Sequence, residues 1–197
     1  MARTKGSSGA KTKAAIHAAG RALIYKHGYE GMNLRQLADA VGLQQGSLYN
    51  HFPSKQQMLF DLMKEHLVTI IDELKSVLAR DTDPLAQMKA FIAFHLTYHM
   101  QRQDEVYINN SELRSLEPAN LRKINALRYE YERLVIGIVE AGVKTKQFKV
   151  SEPKVAAFAL IALLTGICNW YKPGGRLSKA ALVDIHTEMA LRSLTGR

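Results

Sequence analysis

Between residues 44 and 50 the chain reads Gln44-Gln45-Gly46-Ser47-Leu48-Tyr49-Asn50, a run rich in amides with a hydroxyl and a phenol around one glycine. On a helix, Gln45, Gly46, Tyr49 and Asn50 share the outward face, with Gln44 and Ser47 near its start. Side chains of this type pair with base edges in a DNA major groove, and a glycine lets the backbone approach the duplex. Lys55 follows at the start of another helix, where unpaired amides already favour phosphate. A second set is His95 and His99, one helical turn apart, with Phe91 and Tyr98 close by. Such a pair can ligate a metal, line a pocket as hydrogen-bond donors, or sit in the core. No Glu-x-x-His occurs and no third ligand is identifiable, so no metal is expected. The chain has no organised Ser/His/Asp set, P-loop or G-x-G-x-x-G, and its one cysteine, Cys168, has no neighbouring base. No catalytic residue and no cofactor is therefore expected.

Helical spacing of apolar residues dominates, and no alternating stretch is bounded by hairpin turns, which predicts an all-α protein. Ile16, Ala19, Leu23 and Ile24 line a first helix that should stop at His27-Gly28. Asn33 reads as the N-cap of a short helix carrying Leu34, Leu37, Ala38 and Val41, closed by Gly42. A third helix should run from about Gln44 to His51, before Pro53. Leu37, Val41, Leu43, Leu48 and Phe52 can fill the wedge between these two short helices, and Ala38 is small where they must approach, which makes a helix-turn-helix candidate. Any all-helical domain also contains short helices joined by glycine, so spacing alone leaves that alternative open. Ser54 and Gln57 fit a capping box opening a long helix to about Arg80, able to join two domains. Asp83-Pro84, Glu117-Pro118 and Glu152-Pro153 each start a further helix with a proline in its first turn. Leu177-Ser178, with Leu182 beyond, reads as a hydrophobic staple opening the last one.

The 197 residues are 47% hydrophobic and 23% charged, enough apolar material for a core and too much for a disordered chain. Lys+Arg exceed Asp+Glu by 27 to 18, which favours an anionic partner. Residues 1–55 hold eight Lys/Arg against two Asp/Glu, so most of the excess sits in the N-terminal quarter. Lys11 and Lys13, in a short Gly- and Ser-rich stretch, can add DNA backbone or minor-groove contacts or belong to a frayed terminus. A single cysteine suits a reducing compartment, and His17 and Arg21 interrupt what a signal peptide would need, so a cytoplasmic location is expected. Val155 to Tyr171 carries no charge but is short for a bilayer span and full of small residues, so a buried helix is expected there and no membrane association.

Asn33-Leu34-Arg35-Gln36-Leu37-Ala38, Val41-Gly42-Leu43, Gly46-Ser47-Leu48-Tyr49-Asn50-His51-Phe52 and Lys55 together resemble the TetR-type transcriptional regulators, with Gly28-Tyr29 after the first helix as that family has it. The resemblance covers about Ala14 to Leu62. It implies a three-helix DNA-binding domain over residues 1–53, joined by the long helix to a ligand-binding and dimerisation bundle within 54–197. It further implies a homodimeric repressor of a near-palindromic operator, released by a small molecule. Asn33 and Arg35 would then contact DNA from the preceding helix, Gln44, Gln45, Ser47 and Tyr49 would enter the groove beside Gly46, and Asn50, His51 and Lys55 would meet mainly phosphate. Gln44-Gln45 departs from the Ser or Thr with a basic residue that many relatives carry.

In the C-terminal part, the small residues Ala156, Ala157, Ala159, Ala162 and Gly166 allow close helix approach, and pairing with the final helix across a two-fold axis would cover an otherwise exposed apolar wall. Asn169-Trp170-Tyr171-Lys172-Pro173-Gly174-Gly175-Arg176-Leu177-Ser178 is similar to the junction between the last two helices of TetR regulators of fatty-acid and other acyl-CoA catabolism. That similarity implies a CoA thioester as inducer, its acyl chain in the apolar bundle and cationic side chains at the mouth facing the CoA phosphates; the candidate ligand contacts are Phe91, His95, Tyr98, His99 and Trp170. The alternative for Trp170-Tyr171 is a simple cap on the bundle, with Pro173-Gly174-Gly175 turning the chain. The competing functional class is a helical metabolite-binding or metal-dependent enzyme whose basic segment meets an anionic substrate.

Overall fold

A computed structural model describes residues 5–196, and among these there are helices and connecting turns with no strand. In chain order the α-helices are α1 (Lys5–Gly31), α2 (Leu34–Ala40), α3 (Gln45–Leu48), α4 (Lys55–Leu78), α5 (Pro84–Gln101), α6 (Gln103–Ser111), α7 (Pro118–Lys144), α8 (Pro153–Thr165) and α9 (Lys179–Thr195). Short 3₁₀ turns occupy Glu112–Ser115 and Gly166–Asn169. The helix starts follow the local chemistry of their caps. Asn33 accepts a bond from the Arg35 amide at 2.8 Å, Asp83 from Ala86 at 2.9 Å, and Ser178 from Ala181 at 3.1 Å. Prolines occupy the first turns of α5 and α8.

The chain divides into two compact units, residues up to His66 with Asp104–Asn125, and Leu67–Gln103 with the residues from Ala126 on. In the first unit, α2 packs on both α1 and α3. Ile16, Ile24, Leu37, Ala38, Leu48, Phe52, Met58 and Leu59 are buried there, so the expected wedge between the two short helices is real, with Val41 and Leu43 at its half-buried edge. Gly42 turns the chain at φ 66°, and the Leu43 amide returns to the Ala38 carbonyl at 2.9 Å. In the second unit, α5 is packed against α8 and α9, and Phe91, Ile92, Leu96, Val135, Val139, Leu160, Leu164 and Leu182 form its core. Leu177 packs on that core together with Leu182, as a staple requires.

Several local expectations are corrected. The N-terminal stretch is helical from Lys5 on, because a helix already anchored by Ile16 and Ile24 gains a hydrogen bond for each residue added, and Ala10, Lys11, Lys13 and Ala14 are good helix formers. Lys13 lies 3.9 Å from Asp61, and residues 1–4 of that stretch lie outside the described residues. The break at Gly28 occurs where expected, but at φ 73° and ψ 165° rather than in the left-handed helical region, a backbone shape essentially restricted to glycine. The third helix is one turn long. After Leu48 the chain tightens, with His51 bonded back to Leu48 at 2.8 Å, and Phe52 drops into the core. The capping box at Ser54 is half made: Ser54 Oγ accepts from the Gln57 amide at 3.0 Å, whereas the Gln57 side chain donates forward to the Asp61 carboxylate at 2.7 Å, a stronger acceptor than a neutral group. The apolar run from Val155 is not one buried helix. It ends at Thr165, continues as the 3₁₀ turn, and leaves Val155, Phe158 and Leu163 exposed.

Candidate nucleic-acid interface and buried polar core

The α2–α3 module sorts its residues by chemistry. Leu48 and Phe52 face inward, and Gln44, Gln45, Gly46, Tyr49 and Asn50 are exposed, with Ser47 and His51 half-buried at the margin. Tyr49 is 50% exposed and leans on Phe52 with ring centroids 6.4 Å apart. Arg35 is exposed on α2. Asn33 is exposed and spends its side-chain carbonyl oxygen on the helix cap, while the same amide still carries two N–H donors. Within this unit the sequence-chosen residues thus stand together as a surface of donors and acceptors around one glycine, which is what base edges and phosphates require.

Lys55 is held at the border of that surface. Its ammonium lies 4.4 Å from the centroid of the Tyr29 ring and donates to the Glu30 carbonyl at 3.3 Å. Tyr29, Gln56 and Glu112 are residues that spacing did not mark as functional. Gln56 donates to the Tyr29 hydroxyl at 3.2 Å and to the Ser115 carbonyl, and accepts the Glu117 amide at 3.0 Å. Glu112 accepts the Tyr29 amide at 3.1 Å. The only hint of this set in the sequence was Gly28-Tyr29.

The second unit buries its polar groups. His95 is 1% exposed, and its two ring nitrogens lie 2.7 Å from the Tyr131 hydroxyl and 3.1 Å from that of Thr165. A neutral imidazole offers one donor and one acceptor, so one hydroxyl donates to the ring and the other receives from it. Burial, reinforced by neighbouring His99, holds His95 well below the ordinary imidazole range, which keeps it neutral. His99 stacks on it at 3.7 Å between centroids and donates from Nδ1 to the His95 carbonyl at 2.8 Å. With both His95 nitrogens engaged and the rings parallel, the pair does not point two lone pairs at one metal position, and no group of three His, Cys, Asp or Glu among the described residues could hold an ion. Burial also pushes the Tyr131 hydroxyl upward and the Cys168 thiol to about 11, so neither ionises at neutral pH.

Phe91 meets His95 edge-on at 5.4 Å, and Tyr98 lies under the Arg102 guanidinium at 4.4 Å, so four of the five proposed ligand contacts belong to one cluster. Trp170 takes a different neighbour. It is 53% exposed, parallel to His186 at 6.0 Å, and lines an open groove of about 280 Å³ with Tyr171, Lys172, Gly175, Arg176, Leu177 and Leu182. The Gln103 amide holds the wall of this groove by donating to the carbonyls of Cys168 and Tyr171 at 3.3 and 3.1 Å. Cys168 Sγ in turn lies 3.7 Å from the His99 carbonyl.

Fold and surface together define a helical regulator with a helix-turn-helix head. Sequence models of two families match: bacterial regulatory proteins of the tetR family over residues 16–62, and the tetracyclin repressor-like C-terminal domain over residues 81–194. The second covers more than half of the chain, and the chain belongs to the TetR family of transcriptional regulators, which is not a family of enzymes. It is similar to the HTH-type transcriptional repressor KstR2 of Rhodococcus jostii RHA1, 28% identical over 196 residues, which span 98% of this chain and 95% of that one. Its fold is shared by a regulatory protein of the tetR family from Rhodococcus RHA1, at a TM-score of 0.87 and 22% identity over 93% and 97% of the two chains. It is shared too by AibR, solved in complex with isovaleryl coenzyme A and operator DNA, at a TM-score of 0.85 and 23% identity over 90% and 97%. Among the described residues no helix is long and apolar enough to cross a membrane.

Proposed function

We propose that this chain is a cytoplasmic, dimeric transcriptional repressor that binds a near-palindromic operator and leaves it when an acyl-CoA thioester binds. In this reading residues 1–53 are the reading head and residues 54–197 bind ligand and pair the subunits. The observation that carries it is the outward polar face at residues 44–50 above a buried apolar wedge. Gln44, Gln45, Ser47 and Tyr49 address base edges beside Gly46, and Asn33, Arg35, Asn50, His51 and Lys55 address mainly the backbone. Phosphate contacts position the head and base contacts specify the site.

Pairing through the last two helices is supported by the exposed apolar side chains Val155, Phe158 and Leu163 on α8 and Ile185 and Met189 on α9. An acyl-CoA inducer is supported by the structure of AibR in complex with isovaleryl coenzyme A and by the chemistry of the second unit. Lys172 and Arg176 line a groove whose other walls are aromatic and apolar, which suits a phosphorylated ligand with an oily tail. Phe91, His95, Tyr98 and His99 offer the buried end of such a site. Release follows only if the ligand favours an arrangement of the dimer that does not bind operator, and the difference in its affinity for the two arrangements sets the size of the response.

Selection of bound fragments from random duplex DNA, with and without acyl-CoA esters, tests this directly. The expected product is an inverted repeat with half-sites about one helical turn, ~34–36 Å, or a multiple apart, retained without ester and lost with it. Binding with no enriched sequence would make the protein a DNA packager and end the regulator reading. An enriched site indifferent to every ester would remove acyl-CoA as the inducer.

A further inference from the structure

The ammonium of Lys55 rests on two parts of one turn, the Tyr29 ring at 4.4 Å and the Glu30 carbonyl at 3.3 Å. That turn exists because Gly28 breaks α1 at φ 73° and ψ 165°, which swings the Tyr29 amide out of the helical ladder. Glu112 Oε1 receives that amide at 3.1 Å, while its other oxygen accepts the Ser115 hydroxyl at 2.8 Å. Gln56, the neighbour of Lys55, fixes the far end of the same ring through the Tyr29 hydroxyl. Its remaining bonds go to the Ser115 carbonyl and the Glu117 amide. The seat of Lys55 is therefore built from α1 but held by residues 112–117, the segment between α6 and α7.

The geometry points to Glu112 and Gln56 as positioning residues for the DNA phosphate contact made by Lys55, acting through the Tyr29 turn without touching DNA themselves. The inference rests on the reading of Lys55 as a phosphate contact. A lysine on a loose seat samples many rotamers and must be ordered on binding, whereas one already held over a ring and a carbonyl has lost that freedom beforehand. Residues 112–117 lead straight into α7, so a displacement of α7 at this end would loosen the seat and release the phosphate contact without altering any base-reading side chain.

The test is a double-mutant cycle in the full chain, titrated against the duplex selected by the wild-type protein and against mixed-sequence DNA, each over a range of salt. Lys55→Ala should weaken both DNAs about tenfold and lower the salt slope by about one per head. Glu112→Ala should weaken both about three- to tenfold with a matching fall in slope, and should add almost nothing in the Lys55→Ala background. Glu112→Gln keeps an acceptor for the Tyr29 amide and should recover binding to within about twofold of wild type. If Glu112→Ala fails to fold by circular dichroism, Gln56→Leu, which removes the bonds from Gln56 to the Tyr29 hydroxyl and the Glu117 amide, enters the same cycle with the same expectation. A folded variant that binds normally, or one whose loss is undiminished when Lys55 is absent, overturns the positioning role and leaves the regulator reading intact. Unchanged affinity and slope in Lys55→Ala would instead strike down Lys55 as a phosphate contact, and the positioning role with it.

Discussion

The α2–α3 module and the helical bundle put polarity in opposite places. Around α2 and α3, amides and a phenol face solvent over a core of Leu37, Leu48 and Phe52, while around α5, α8 and α9 the hydrogen-bonding groups His95, Tyr131 and His99 are inside and Val155, Phe158, Leu163, Ile185 and Met189 are outside. Buried polar groups cost free energy unless they are bonded, and exposed apolar groups in quantity mark a surface with a use. The head displays what a polar, anionic duplex can meet. The bundle leaves an apolar exterior on α8 and α9 and satisfies its buried hydrogen-bonding groups among themselves.

The largest effect should come from spoiling the apolar exterior. Phe158→Glu combined with Met189→Glu should yield a folded monomer by sedimentation and lower operator affinity more than about a hundredfold, since unpaired charge is poorly tolerated at a packed interface and each head then binds alone. Retention of the dimer would show that these side chains serve another purpose. Next, Tyr49→Ala, or Gln44→Ala with Gln45→Ala, should reduce the preference for the selected site over mixed DNA. The loss should be about 1–3 kcal/mol for each base contact removed, while the dimer persists. Operator choice unaltered in both variants would defeat the assignment of the polar exterior.

Inside the bundle, His95→Leu leaves the Tyr131 and Thr165 hydroxyls without the ring between them and should cost about 1–3 kcal/mol of stability in urea. The same residue should shape the acid limb. Its folded value is depressed below the ordinary 6.5, so the unfolded chain binds more protons at this site. Stability should therefore fall as pH drops below about 6.5, by at most about 1.4 kcal/mol per pH unit, and level off below the folded value. His95→Leu should flatten that part of the profile, and an unchanged slope would mean the imidazole is solvated. The smallest effect belongs to neither polarity pattern. Lys146, two residues beyond the end of α7, sits at φ 62°, and Lys146→Gly should raise stability by up to about 1 kcal/mol with DNA binding untouched.

Much of the head was legible because its signals are local. Asn33 caps α2, Gly42 turns the chain, and the spacing of Leu37, Ala38, Leu48 and Phe52 places the wedge, each within a few residues of the features it explains. The lengths of α3 and α8 were not legible, because a tight i to i+3 turn after Leu48 or Thr165 continues the same apolar period as an α-helix. Nor was the capping box at Ser54, where Asp61 competes for the Gln57 side chain across one helical turn. In the bundle the chosen cluster of Phe91, His95, Tyr98 and His99 assembled, but Trp170 took His186 as its neighbour, sixteen positions along the chain and on another helix.

By itself, then, the amino-acid order determined that this is an all-helical chain with a basic N-terminal quarter, where most helices begin, and which side chains of the second short helix face outward. Those properties follow from caps, turns and periodicity, which act over one or two helical turns. The tertiary structure alone decided that His95 would be neutral between Tyr131 and Thr165, 36 and 70 positions away, and that Lys55 would rest on a turn held by Glu112. Such pairings depend on which faces meet when helices distant in sequence pack, and hydrogen bonds of that range leave no periodic trace in the chain.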